Sequence, residues 1–431
     1  MATIKEANAR DIYEPDRLAG SGSSITAGPV DSQRQSRWRA RRLPAAAAFY
    51  LQASIVLFLL AGSSAPTPLY AVYQAEWGFS PITTTIVFAV YALGVLVALL
   101  IAGSLSDHVG RRPVLLVALA VQAVTMIVFA TATGVPQLLV ARVLQGLSTG
   151  AAIGALGAGM LDLRRQHGTI ANAVAPMLGT ATGGLLSGVL VEYLPIPARL
   201  VYLLLLGVFA AQAVGVFFMP EPATPRSGAL ASLRPQFGVP AATRAPLAVA
   251  IPALVASWSL AGFYGSLGPT LVRRVTHNNS FVLGGLALFI LAGSGALTVL
   301  VLRNAKPRTA MLYGTAALLA GVGGTLLAIA HTSTAGFFTA AVVAGSGFGG
   351  SFQGAIRTVV PLAAPHERAG LLSVVYVVSY LAMGVPAVIG GVLVVHGGGV
   401  VTTAREYGFA VMALAAVALV GLARRPRPVL I

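Results

Sequence analysis

From Pro44 onward the chain alternates long apolar blocks with short polar segments. The blocks number twelve: 46–74, 82–104, 113–133, 136–160, 169–192, 199–219, 247–271, 281–302, 310–330, 335–360, 370–395 and 406–423. A helix of about 20 apolar residues crosses a hydrocarbon core about 30 Å thick, so each block is a candidate membrane span. None shows the period-two alternation of a membrane barrel strand. An open sheet edge in lipid would leave backbone groups unpaired, so the blocks are predicted to be helices. The pattern thus predicts an all-α integral membrane protein with twelve transmembrane helices. Several blocks contain Gly or Pro, which a spanning helix tolerates where neighbouring helices or a polar cavity satisfy the freed backbone groups.

The longest polar interval between blocks, Pro220 to Pro246, divides them six and six. The expected organisation is an N-terminal six-helix bundle at 45–219, a linker at 220–246 and a C-terminal six-helix bundle at 247–423. A polar, basic tail at 1–44, expected to be disordered, precedes them, and a short tail at 424–431 follows. Weak echoes relate the halves: Gly179-Thr180-Ala181-Thr182-Gly183-Gly184 by Pro386-Ala387-Val388-Ile389-Gly390-Gly391, and Gly146 to Gly159 by Gly345 to Gly354. Repeated halves with glycine-broken helices are a transporter pattern, although tight helix packing also selects glycine. Of the 28 Lys and Arg residues, 22 fall on the side of the amino terminus, against four (Arg199, Arg273, Arg274, Arg405) on the other, and Arg142 and Arg357 lie within spans. That asymmetry predicts both termini in the cytoplasm. A cleavable signal would carry its apolar core much nearer Met1, so none is expected.

Composition narrows the function. Hydrophobic residues make up 56% and charged residues 9% of the 431, too few charges to clothe a soluble protein of this size. The formal charge of +16 would suggest nucleic acid in a soluble chain, but the basic residues are scattered in short loops without interleaved aromatics. No nucleic-acid partner is expected. Cysteine is absent, which excludes disulfides and thiolate chemistry. The spans hold no cluster of His or carboxylates that would make a membrane enzyme or a metal site, and no phosphate-binding loop is present. No cofactor is expected.

The segment between blocks 2 and 3 reads Gly103-Ser104-Leu105-Ser106-Asp107-His108-Val109-Gly110-Arg111-Arg112-Pro113. It resembles the loop pattern Gly-x-Leu-x-Asp-x-x-Gly-Arg-Arg of the major facilitator superfamily (MFS) at every defining position. Gly103 allows close helix approach, Gly110 can take a positive-φ turn, and Asp107 can accept from nearby arginines. The resemblance implies the MFS fold of two pseudo-symmetric six-helix halves, with Asp107, Arg111 and Arg112 in a gating network that holds the halves together in the outward-open state. Arg142, Gln145 and Gly146 in block 4 resemble the Arg-x-x-Gln-Gly element of the same superfamily, which implies proton coupling or substrate contact. A start near Pro136 puts Arg142 about 9 Å into its helix, where it either faces a cavity or snorkels to the headgroups. Gly179, Gly183 and Gly184 resemble the antiporter element Gly-Pro-x-x-Gly-Gly, with Thr180 in place of its proline and Pro176 one turn earlier, where a kink can survive at a shifted position.

By the same resemblance blocks 1, 4, 7 and 10 line a central cavity. Its candidate side chains are Tyr70, Tyr73, Gln74, Trp258, Tyr264, Phe352, Gln353 and Arg357, a largely aromatic set suited to a hydrophobic or weakly polar ligand. The chain most resembles the drug:proton antiporter branch. The expected activity is secondary active transport by alternating access, a proton-coupled efflux across the inner (cytoplasmic) membrane by a monomer. A metabolite or sugar-type uptake porter, or a uniporter, is the alternative. All twelve Asp and Glu residues lie in tails, loops or span ends, so no mid-span carboxylate offers itself as proton carrier.

Overall fold

The computed structural model describes residues 42–221 and 226–424. The tails expected at 1–44 and 424–431 lie almost wholly outside these. Among the described residues, twelve helices are long and apolar enough to cross a membrane. They are α1 (Ala45–Trp77), α2 (Pro81–Ala102), α3 (Arg111–Ala130), α4 (Val135–Leu163), α5 (Arg165–Tyr193) and α6 (Ala198–Phe217) in the first half. The second half holds α7 (Ala241–Ser266), α8 (Phe281–Asn304), α9 (Pro307–Ala330), α10 (Thr334–Leu362), α11 (Arg368–His396) and α12 (Gly399–Ala423). Among the described residues there is no strand.

Two helices start well before their apolar blocks, by about two turns. α7 begins at Ala241 rather than 247, and α12 at Gly399 rather than 406. Their first turns carry Thr243 and Arg244, or Thr402, Thr403 and Arg405, which are too polar to count as apolar block. Backbone hydrogen bonding carries a helix past the hydrocarbon boundary, whereas an apolar block marks only the part that meets lipid. We call the end of the bundle that holds the start of α1 and the ends of α6 and α12 the terminus face. There Leu43 N donates to Phe218 O at 2.9 Å, and Arg308 Nη2 to Leu422 O at 2.7 Å.

Helices in lipid gain nothing from burying apolar surface against one another, so close approach through small residues supplies the packing. A Cβ on Gly146 of α4 would stand 2.9 Å from Gly94 Cα of α2, and one on Gly349 of α10 would stand 2.8 Å from Gly295 Cα of α8. These are equivalent contacts in the two halves, so the glycine echo between α4 and α10 reflects a shared seam. The echo between α5 and α11 has the same origin: Gly184 abuts Gly285 of α8, and Gly391 abuts Thr85 of α2. Each of these pairs joins one half to the other.

Gly349→Leu should prevent α8 and α10 from seating and abolish recovery of folded protein from membranes. Gly207, whose Cβ would meet nothing within 4 Å, is the control. Gly207→Ala should leave yield unchanged and raise stability by about 0.5–1 kcal/mol through helix propensity. A thermal melt of the purified proteins checks both.

Candidate functional site

The loop after α2 closes on partners from its own half. Gly110 sits at φ 106°, and a Cβ there would stand 2.9 Å from Glu221 Oε2, so glycine is required both by backbone and by space. Glu221, just beyond α6, accepts from the Arg111 and Arg112 amides at 2.9 and 2.8 Å. A carboxylate is thus placed on the first free N–H groups of α3, where the helix dipole favours it. The Arg111 guanidinium is buried, pairs with Asp107, donates to Ser106 Oγ at 2.6 Å and reaches Asp162 Oδ2 at 3.4 Å. Arg112 covers the Phe217 ring at 4.9 Å. Gly103 faces Gly154 of α4, whose Cβ would stand 3.1 Å from Gly103 Cα. The cluster ties α2, α3, α4 and the end of α6 together. The resemblance implied a bridge between halves, but in this conformation no hydrogen bond or ion pair from Asp107, Arg111 or Arg112 reaches the second half among the described residues. Burial of the arginine by its own half explains why.

The second cluster surrounds Arg142, which is 0% exposed. Its side chain turns inward, so the snorkelling alternative is excluded. Nη1 donates to Ser63 O at 2.8 Å and to Gln145 Oε1 at 2.7 Å, and Nη2 donates to the Tyr70 hydroxyl. The rings of Tyr91, Tyr70 and Phe129 lie 5.3, 5.7 and 5.8 Å from the guanidinium carbon. No carboxylate pairs with it among the described residues. A buried cation needs partners, and here neutral oxygens at Nη1 and Nη2 and the surrounding ring faces stand in place of a counter-ion, while Nε is buried without a hydrogen-bond partner.

Proline frees one further carbonyl beside this cluster. α1 breaks at Ala65, between helices Ala45–Ser64 and Pro66–Trp77. Pro66 has no N–H, so the carbonyl four residues back, Gly62, lacks its helical donor. Gln145 Nε2 supplies one at 3.0 Å. α7 repeats the device: it ends at Ser266, a helix Gly268–Thr276 follows, and Pro269 strips the Gly265 carbonyl of its donor. Here the replacement comes from the other half, Thr67 Oγ1 at 3.0 Å. The repeat behind this, Gly62-Ser63-Ser64-Ala65-Pro66-Thr67 against Gly265-Ser266-Leu267-Gly268-Pro269-Thr270, is in the sequence but was missed. The signal was a proline four residues after a glycine.

The remaining candidates separate. Pro176 lies within the continuous α5, with Thr180 Oγ1 donating to its carbonyl at 3.0 Å. Gly179 and Gly183 seat α5 on the backbone of α1 at Leu57 and Ala61. Trp258 and Phe352 meet edge to face at 5.3 Å, with Tyr380 and Phe348 completing an aromatic group. The indole N–H of Trp258 is buried without a hydrogen-bond partner. Gln74 donates to Thr84 Oγ1 at 2.9 Å, and Gln353 is half-buried. Three candidates are not cavity groups. Tyr73 is buried in the first-half core, stacked on Trp77 with its hydroxyl 3.1 Å from that of Tyr202. Tyr264 is buried against Phe337 in the second-half core. Arg357 donates to Leu302 O and Ala305 O at 3.0 and 2.7 Å, capping the carbonyl end of α8. A span-wide reading names a helix's residues but not which face each one takes.

Twelve spans in two glycine-seamed halves, with this loop and this buried arginine, match the architecture that membrane transporters build from two repeats. The family model of the Major Facilitator Superfamily matches residues 53–385, and the chain belongs to that superfamily. It is 36% identical over 128 residues to a cephamycin export protein of Amycolatopsis lactamdurans, covering 28% of this chain and 26% of that protein. It is 34% identical over 116 residues to a major facilitator superfamily multidrug transporter of Aspergillus fumigatus, covering 26% of this chain and 18% of that one. The matched segments therefore span about a quarter or less of those relatives. The crystal structure of a nucleoside transporter superposes with a TM-score of 0.65 at 13% identity, covering 87% of this chain and 98% of that one, a likeness of fold.

Gln145→Leu should leave the Gly62 carbonyl buried and unpaired, lowering stability by about 1–3 kcal/mol. Adding Pro66→Ala restores an N–H to that carbonyl and should recover part of the loss. Melting temperatures of the wild type, the single variant and the double variant check this; no recovery would refute the assignment of the carbonyl to proline.

Proposed function

We propose that this protein exports a small hydrophobic or weakly polar molecule across the cytoplasmic membrane by proton-coupled alternating access. The observation that carries alternating access is the distribution of hydrogen bonds between the halves. Among the described residues they are Thr67 to Gly265 and Glu192 to Ser280 and Val282, and all lie at the end of the bundle away from the terminus face. Two bodies joined by directional bonds at one end are suited to rock about their interface. The excess of basic residues on the amino-terminal side supports cytoplasmic termini, so this conformation is sealed on the outer side. The printed functions of the two partial relatives, multidrug transport and cephamycin export, support efflux. The aromatic group at Trp258 supports an apolar substrate. The protein acts as a monomer.

One observation favours a second reading. Of the described carboxylates, Glu76, Asp107, Asp162, Glu192, Glu221 and Glu367 stand at or beyond the span ends, Glu406 lies two turns into α12, and none offers an acid in mid-membrane. A uniporter or uptake porter needs no such group.

Proton movement in inverted membrane vesicles separates the readings. A preformed pH gradient is challenged with hydrophobic cations, neutral drugs and small metabolites, with empty vesicles and Asp107→Asn as controls. Proton-coupled efflux predicts that at least one compound collapses the gradient with the wild type only. Substrate crossing without proton movement would select the uniporter. Asp107→Asn, at equal membrane abundance, should lower turnover, and wild-type turnover would remove the loop from the gating mechanism.

A further inference from the structure

We propose that Glu192 is a proton-sensitive latch that closes the two halves at the end opposite the terminus face. Glu192 lies in the last turn of α5, in the first half. Its Oε2 accepts from Ser280 Oγ at 2.6 Å and from Val282 N at 2.9 Å, both at the start of α8 in the second half. Gly188, one turn earlier, makes the approach possible: a Cβ there would stand 2.6 Å from Phe281 O. A carboxylate from one body thus fills the amino-terminal N–H site of a helix in the other, where its negative charge meets the positive end of the helix dipole. Ser280 itself caps the same helix through Leu283 N at 3.4 Å, so its hydroxyl joins the carboxylate to the helix start.

The bond is the charged member of the seal. Its companion, Thr67 to the Gly265 carbonyl, is neutral on both sides and does not titrate. The other titratable or charged groups at this end of the elements packed against α5 and α8 are Tyr73 and Glu76 on α1, Arg142 on α4, Arg199 and Tyr202 on α6, Arg273, Arg274 and His277 after α7, and His331 before α10. None forms an ion pair with Glu192 among the described residues. Arg273 shares a small crevice with Ser280 and Phe281 on the same seam. The carboxylate is half-buried, so protons from that side reach it.

The sign follows from the chemistry. Ionised Glu192 accepts both bonds and holds the halves closed, so closure is complete above the carboxyl pKa and is lost as pH falls through it. Protonation removes the charge that the helix end attracts and leaves a neutral, weaker acceptor for the two bonds. Because the proton enters and leaves on one side, Glu192 does no transport work by itself. It makes opening on that side depend on the acidity there, whichever substrate is carried.

The chain has no cysteine, which makes site-directed spin labelling direct. Labels at Thr131→Cys, after α3, and His331→Cys, after α9, report the separation of the halves at this end in purified full-length protein. Both positions are exposed. Between about pH 7.5 and about pH 3, which brackets the usual glutamate pKa of about 4.3, the wild type should shift from a short to a long distance by at least about tenfold in population ratio. Glu192→Gln should populate the long distance at both pH values. Thr67→Val should weaken closure at both pH values yet keep the pH step. A wild-type distance that ignores pH, or a pH step that survives in Glu192→Gln, overturns the proposal. If Glu192→Gln fails to fold, Ser280→Ala substitutes: loss of one donor should move the wild-type step to higher pH, and an unmoved step overturns the proposal.

Discussion

Every backbone carbonyl inside a membrane must find a donor, and this protein removes the donor in the same place in both halves. Pro66 strands Gly62, and Pro269 strands Gly265. What fills each vacancy organises the molecule. Within the first half the amide of Gln145 fills it, and the same amide's oxygen receives Arg142, so the broken helix becomes the anchor for a buried cation. In the second half the vacancy is filled from across the interface by Thr67. A repeated backbone defect has thus been put to two uses, one internal and one between bodies.

Glycine governs the rest of the assembly. The seams α2 to α4 and α8 to α10 build each half, while α5 to α8 and α11 to α2 join the halves. Contacts made through backbone rather than interlocking side chains leave flat surfaces that can slide or rock, provided that few directional bonds cross them. The directional bonds between the halves stand together at one end. At the terminus face the loop from Gly103 to Arg112 spends its charges inside the first half. There Arg111 holds Asp107 and Asp162, and Glu221 caps α3. The corresponding turn of the second half has no acid and is held instead by Arg357 on the carbonyl end of α8. The two halves therefore share a scaffold but not a switch.

Much of this was legible in the chain. The twelve apolar blocks became the twelve helices, Gly110 took the positive φ its place in the loop suggested, and the glycine echoes marked equivalent seams. Arg142, Gln145 and Gly146 were singled out by resemblance to the superfamily's Arg-x-x-Gln-Gly element; Arg142 bonds to Gln145, and Gly146 packs on Gly94 of α2. The partners were not legible. Nothing in the segment around Arg142 names Tyr91 or Phe129 as its covering rings. Tyr73, Tyr264 and Arg357 looked like cavity groups because they sit on the expected helices. Their side chains turn instead into a half's own core or onto a helix end.

The sequence by itself determined the solvent of the fold, the number of spans, the positions of the helix breaks and the absence of an acid in mid-span. Each of these is a local property, set by which residues meet lipid and which backbone groups proline removes. Only the tertiary structure decided which groups repair the breaks and which end is closed. Gln145 meets a carbonyl 83 residues away and Thr67 one 198 residues away. Glu192 meets the start of a helix 88 to 90 residues on. Pairings at such separations depend on how whole helices stack, and no pattern along a single helix encodes them.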